Sequence, residues 1–280
     1  MCFAVFCSGV TWAFDRLHKI QRRSAIIFTD PYVFLSGGLA GLAGRAAAIP
    51  FDKGGVKGPA QACYRRMPQF GLLMWFYVPL ASQLLPGTEH DPAFKAFTTF
   101  ILGAFAGFMM RLICNPVNRV RDDSLRTGES FLKTCQRFKS KTVLQFFYTT
   151  PPLLANAIYF GTLMTVFEGL RRFCERNRII PINIEKDKNG NDIFNPENYA
   201  AVAIGNTVVG GVAAGVASTL CYPFSAHAYH QTVIHDSAIC RGLLPTLRKE
   251  IPMMAVSFGV FSLLQPIVAP HHGTRVGFGY

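Results

Sequence analysis

Charge is scarce in this chain, and acid is the scarcer sign. Of 280 residues only 16% are charged, with 16 Asp and Glu against 28 Lys and Arg. Soluble domains carry about 25% charged residues, so an ordinary water-facing surface is hard to build from this composition. The eight cysteines (Cys2, Cys7, Cys63, Cys114, Cys135, Cys174, Cys221 and Cys240) contain no C-x-x-C pair. That spacing would be needed for the common zinc and dithiol motifs. Most of these cysteines lie in or beside apolar stretches, where the residue acts as a small hydrophobe. No nucleophile–base pattern, paired-carboxylate site or phosphate-cradling glycine loop is present, and catalysis is not expected. A net charge of +12 alone would admit nucleic acid, an anionic membrane surface or anionic ligands. No basic-aromatic nucleic-acid motif accompanies it, so a nucleic-acid partner is not expected.

What the chain does have is long apolar runs. Hydrophobic residues make up 50% of it and gather in six windows, near 31–50, 68–87, 97–116, 143–167, 200–223 and 251–269. Each has about the length that crosses a bilayer core. Three windows are rich in small residues: Gly37, Gly38, Gly41 and Gly44; Gly103 and Gly107; Gly210, Gly211 and Gly215. Small residues at such spacing let helix backbones approach closely in lipid. The other three are bulkier, as in the run from Phe70 to Tyr77. The alternation of the two kinds points to a repeated helix pair.

Two further signals recur with the same period. Each small-residue window ends on a proline, in Ile49-Pro50-Phe51-Asp52, Asn115-Pro116-Val117-Asn118 and Tyr222-Pro223-Phe224-Ser225. A proline there kinks or stops a helix. A basic-glycine element precedes the bulky windows, and ten residues separate Gly58 from Pro68 and Gly242 from Pro252. Between them lie Arg65-Arg66-Met67-Pro68 and Lys249-Glu250-Ile251-Pro252; in the middle repeat Ala155 and Ile158 stand opposite Lys249 and Pro252.

In this order the motifs resemble the mitochondrial carrier family over roughly residues 31–269. The resemblance implies an all-α membrane protein of six transmembrane helices in three two-helix repeats with pseudo-three-fold symmetry. It would be a multi-pass protein of the mitochondrial inner membrane. The termini would face the intermembrane space and the proline ends the matrix. The segment from Arg119 to Lys141, with seven Lys/Arg against three acids, suits that orientation. The expected organisation is an N-terminal extension (1–30), repeat 1 (31–87), repeat 2 (97–172), an intermembrane-space loop (173–199), repeat 3 (200–269) and a tail (270–280).

The family closes its two ends with rings of salt bridges, and here both rings are worn. On the matrix side the acidic places after Pro50, Pro116 and Pro223 hold Asp52, Asn118 and Ser225. The basic places hold Gly55, Arg121 and Ala228, so only Asp52 with Arg121 keeps both charges. On the other side the places read Tyr77-Val78 with Ala81, Phe167-Glu168 with Arg171, and Phe261-Ser262 with Gln265. The family's pairing would set Glu168 against Gln265 and Arg171 against Val78. The matrix-side connections are short in repeats 1 and 3. Only repeat 2 has clear room for an amphipathic helix, around Ser130 to Lys141.

Charges remain at membrane depth. Arg45 and Arg111 each lie five residues before their repeat proline, with Ser218 as the third equivalent. The resemblance places Arg65, Lys249 and the Ala155-Asn156 pair at substrate contact points. Such cations suit a phosphate- or carboxylate-bearing ligand. They equally suit a phospholipid headgroup such as cardiolipin, an acid of a partner, or snorkelling to the interface. Outside the repeats, residues 1–30 run apolar then basic, the reverse of a signal peptide, and are expected to lie at the interface or on a partner. Asn189-Gly190 reads as a hairpin turn. His227, His230 and His235 lack a metal-ligand spacing, and neither a metal nor a cofactor is expected.

Worn gates, short loops and added segments point to a non-transporting accessory subunit of a larger inner-membrane assembly, such as a respiratory complex or ATP synthase. The alternative is a divergent transporter of a small anionic metabolite, working by alternating access.

Overall fold

The computed structural model describes residues 31–51, 59–85, 91–139, 150–180, 184–186, 192–194, 199–229 and 242–268. The expected extension 1–30, the tail 270–280 and Asp52 lie outside the described residues. So do the side chains of Arg65, Arg121, Ser225, Gln265, His227, His230 and His235.

The described chain is almost wholly helical: α1 (Pro31–Ala48), α2 (Pro59–Leu84), α3 (Pro92–Thr127), α4 (Phe131–Lys139), α5 (Thr150–Arg176), α6 (Tyr199–Tyr229) and α7 (Leu243–Val268). A short antiparallel pair, β1 (Ile184–Lys186) and β2 (Asp192–Phe194), follows α5, with Ile184 opposite Phe194 and Lys186 opposite Asp192. This is the hairpin that Asn189-Gly190 suggests, although the turn itself lies outside the described residues. Four helical stretches are long and apolar enough to cross a membrane: Pro31–Phe51, Pro92–Asn118, Leu153–Arg176 and Ala200–Phe224. The protein is therefore a multi-pass membrane protein in character. Helices α2 and α7, of 26 residues each, lie between those four.

The six long helices close into a ring. Going round it, α1 packs on α2, α2 on α3, α3 on α5, α5 on α6, α6 on α7, and α7 returns to α1. The outer surface is apolar. On α6, Ile204, Val208, Val212, Val216 and Leu220 recur every fourth residue and are all exposed, while Asn206 and Ser218 are buried. A stripe of exposed aliphatic side chains with polar groups turned inward suits hydrocarbon rather than water.

Backbones come close because glycines receive large side chains. In α1–α2 a β-carbon on Gly41 would lie 2.5 Å from Phe70 Cβ, and one on Gly71 would lie 3.0 Å from Phe34 Cε2. In α3–α5 the same reciprocal contact returns, Gly107 receiving Phe160 at 2.7 Å and Gly161 receiving Phe100 at 2.9 Å. The first two helix pairs thus share one knob-and-notch pattern. In the third, Gly210 of α6 receives Phe258 of α7.

Helix ends follow local chemistry. Asp91 caps α3, accepting from the amides of Ala93 (2.9 Å) and Phe94 (3.3 Å), with Pro92 next in line. Gly128, at φ 69°, closes its other end. The amphipathic helix expected near Ser130 to Lys141 is α4, held to the end of α3 by Arg137, which pairs with Asp123 and with Glu129.

Three helices run beyond the apolar windows. Of the three repeat prolines, Pro50 lies at a helix end, where α1 passes into a 3-10 turn at Ile49–Phe51; α3 and α6 run on through Pro116 and Pro223. A proline removes one backbone hydrogen bond, and inside a bundle neighbours and local adjustment satisfy the freed carbonyl. The middle bulky helix also runs to Arg176, past the apolar window that closes near residue 167 and past the gate places Glu168 and Arg171. Its added turns carry charges at helical spacing, Glu168 with Arg172 and Arg171 with Glu175, which support the helix beyond its apolar part.

The closeness of α1 and α7 is testable at Gly44, where a β-carbon would collide with Ser257 Oγ and the Met253 carbonyl. Gly44→Ala is expected to cost about 1–3 kcal/mol through helix separation. Gly215→Ala, whose β-carbon would rest 3.5 Å from Ile251 Cδ1, is expected to leave stability unchanged or slightly raised. Thermal unfolding of both variants in detergent micelles checks this.

Candidate functional site

The interior of the ring is layered. At its centre are three phenylalanines, each fully or almost fully buried, from α2, α5 and α7. Phe167 stacks on Phe258 with ring centres 4.2 Å apart, and Phe70 meets Phe258 edge-on at 5.9 Å. Spacing on the three helices sets a polar layer on either side. Arg66 lies one turn before Phe70 and Glu250 two turns before Phe258, on the same faces. Glu168 and its partners follow Phe167 on α5.

The first polar layer joins three helices. Tyr159 Oη of α5 donates to Glu250 Oε2 of α7 at 3.5 Å, and Arg66 Nη2 of α2 stands 3.8 Å from that same oxygen. Arg66 Nη1 also donates to Gln69 Oε1 at 3.1 Å. Ser218 and Cys221 of α6 border Tyr159, and the Cys221 thiol lies 3.5 Å from Thr162 Oγ1. Arg66 and Glu250 retain 23% and 22% side-chain exposure, so this layer is reached by solvent.

The second layer is drier. Glu168 pairs with Arg172 at 3.6 Å, and Arg171 donates to Glu175 at 2.8 Å. The buried Tyr77 of α2 and the buried Lys95 of α3 lie within electrostatic range of Glu168. Both ion pairs therefore lie within one helix. Gln265, expected opposite Glu168, has its side chain outside the described residues.

The remaining expected residues divide as follows. Arg45 is buried on α1, while Arg111 on α3 and Lys249 on α7 are half-buried. Ala155 is buried. Asn156 donates to the Gly107 carbonyl at 3.0 Å, so it clamps α5 to α3. Asn118 is buried, with Nδ2 lacking a hydrogen-bond partner among the described residues. Ser262 accepts from Asn206 Nδ2 at 2.8 Å, tying α7 to α6. Pro50 and Pro223 are exposed and Pro116 is half-buried.

Sequence reasoning missed Arg66, Glu250 and Tyr159 as interior groups, and Lys95, Arg172 and Glu175 as partners. Arg66 and Glu250 each adjoin an expected contact residue, Arg65 and Lys249. The pairs on α5 were visible as four-residue charge spacing. Nothing in the spacing signalled Lys95, because its approach to α5 depends on how α3 packs.

Removing Glu168 would take from Arg172 its ion-pair partner and from Lys95 a nearby buried acid, while Arg171 keeps Glu175. Glu168→Gln is expected to destabilise by about 2–3 kcal/mol, less than for a fully buried pair because Arg172 reaches solvent. Arg172→Gln is expected to cost about 1 kcal/mol or less. Unfolding in determined steps of denaturant, in the same micelles, compares the two.

Set against known proteins, the chain matches no family model and no curated protein.

Proposed function

We propose that this chain is a membrane-embedded scaffold of the mitochondrial carrier type, with six spans in three repeats, that has given up transport. In this reading it is a multi-pass accessory subunit of a large complex of the mitochondrial inner membrane. The observation that supports it is the layered interior. Phe70 and Phe167 both meet Phe258 inside the ring, and the gate charges Glu168 and Arg171 make their ion pairs with Arg172 and Glu175 of the same helix, with Lys95 of α3 in electrostatic range of Glu168. A transport cycle needs interhelical contacts that break and reform at each end. Intrahelical pairs have no part in such an exchange, since they persist however the helices move.

A transporter remains the second reading, on one specific ground. Arg66 and Glu250 face each other across the interior and are partly open to solvent, and ionisable groups at membrane depth mark ligand paths by default.

The two readings part in one experiment. In a mild-detergent native gel of mitochondrial membranes, the chain is expected to migrate stoichiometrically with a large complex. Proteoliposomes holding the purified chain are expected to show no exchange of carboxylates or phosphates above empty vesicles. Migration alone, near the size of one 30.9 kDa chain plus detergent, together with saturable exchange, would overturn the scaffold reading.

A further inference from the structure

The last turns of α5 carry more positive charge than their acids neutralise. Glu168 and Glu175 are taken by Arg172 and Arg171. Arg176 and Arg178 follow, both exposed, and neither has an ion-pair partner among the described residues. Arg176 also stands four residues after Arg172, a spacing at which like charges repel on a helix. This end of α5 lies away from Pro116, since Phe160 of α5 meets Gly107 of α3 while Glu168 comes near Lys95.

The helix also ends in a conformation that suits a different residue. The amide of Ile179 donates to the Cys174 carbonyl at 2.8 Å, and that of Arg178 to the Glu175 carbonyl at 3.1 Å. In this closing pattern the residue between turns left-handed, a place that glycine fills at least cost. Here Arg178 fills it, at φ 55°. Ile180 fixes the turn by seating on α6, where a β-carbon on Gly205 would lie 2.6 Å from Ile180 Cδ1. Cations near a helix C-terminus ease its dipole, but an arginine anywhere in the last turn does so without a left-handed backbone. Strain kept at one point is the mark of a side chain that is used there.

The surroundings of these two charges are apolar. Phe173 and Ile179 are 60% and 65% exposed, and the membrane-length stretch of α5 closes at Arg176. Phe173 and Arg176 lie on the face of α5 opposite the buried Phe160, Phe167 and Arg171, and so on the outside of the ring. One turn before Phe173, Gly169 is exposed, with nothing within 4 Å of where its β-carbon would stand. Along this face the surface is first low, then aromatic, then cationic. A phospholipid has the matching order of acyl chain, glycerol and phosphate. An acidic protein segment would supply the charge but no chain for Gly169 and Phe173, and a choline headgroup would bring a further cation beside the two arginines. We propose that Arg176 and Arg178 bind the phosphate of an anionic phospholipid, its acyl chain lying over Gly169 against Phe173. The site goes beyond the scaffold reading and does not depend on it, because it needs neither transport nor a partner complex.

The test is thermal unfolding of the full chain in dodecyl maltoside micelles, titrated with dioleoyl phosphatidylglycerol or with dioleoyl phosphatidylcholine, which share their tails. Phosphatidylglycerol is expected to raise the unfolding temperature further than phosphatidylcholine does. Arg176→Gln is expected to raise the midpoint of the phosphatidylglycerol titration about five-fold, the worth of one basic residue at an anionic surface. Arg178→Gly is expected to cross over: it unfolds at a higher temperature than the wild type without lipid, because the left-handed strain is gone, yet responds more weakly to phosphatidylglycerol. Both side chains are exposed, so neither variant is expected to lose the fold. The proposal is overturned if the two lipids act alike on the wild type, or if either variant responds to phosphatidylglycerol as the wild type does. Loss of the large complex from the native gel in either variant, with the lipid response unchanged, would assign the arginines to an acidic partner and likewise overturn it. The lipid comparison on the wild-type chain decides the matter even where a variant fails to fold.

Discussion

Phe258 meets Phe167 face to face at 4.2 Å, meets Phe70 edge-on at 5.9 Å, and seats against Gly210 of the neighbouring helix. Through one side chain α7 is thereby joined to α2, α5 and α6. A ring of six helices enclosing empty space would forfeit the dispersion contacts of every inward side chain. Aromatic pairs fill such a volume with few atoms and add about 0.5–1.5 kcal/mol beyond the area they bury. The polar layers are separate because this apolar layer lies between them.

The two polar layers solve the problem of intramembrane charge differently. On α5 the acids and bases are four residues apart, so each charge carries its partner along with it. The Arg66–Glu250 pair has its members on different helices, and its spacing is whatever the ring diameter allows. A self-contained pair makes the helix robust and independent of its neighbours. A pair spanning the interior stays sensitive to anything that enters or widens the ring.

The outer contacts obey a simpler rule. Lipid offers no hydrophobic reward for bringing helices together, so closeness and shape must supply it. Gly41 with Phe70 and Gly107 with Phe160 make the same fit in two successive pairs. Hydrogen bonds from Asn156 to the Gly107 carbonyl and from Asn206 to Ser262 add directional ties between helices. In bacteriorhodopsin such intramembrane bonds average about 0.6 kcal/mol each, enough to set helix rotation without dominating stability.

By itself the sequence determined the membrane character, the approximate positions of the long helices, the helix α4 and the hairpin, because each rests on local composition or spacing. The glycine rows were legible for the same reason, and so, in retrospect, were the ion pairs of α5. Other features were decided only by the tertiary structure. Pro116 and Pro223 do not end their helices, which run on to Thr127 and Tyr229. Asn156, a candidate ligand contact by its place in the repeat, also donates to the Gly107 carbonyl and so ties α5 to α3. Arg66, Tyr159 and Glu250 converge, although their neighbours Arg65 and Lys249 carried the motif. Which of two adjacent residues turns inward is a question of helix rotation, and rotation is fixed by packing against helices distant in the chain.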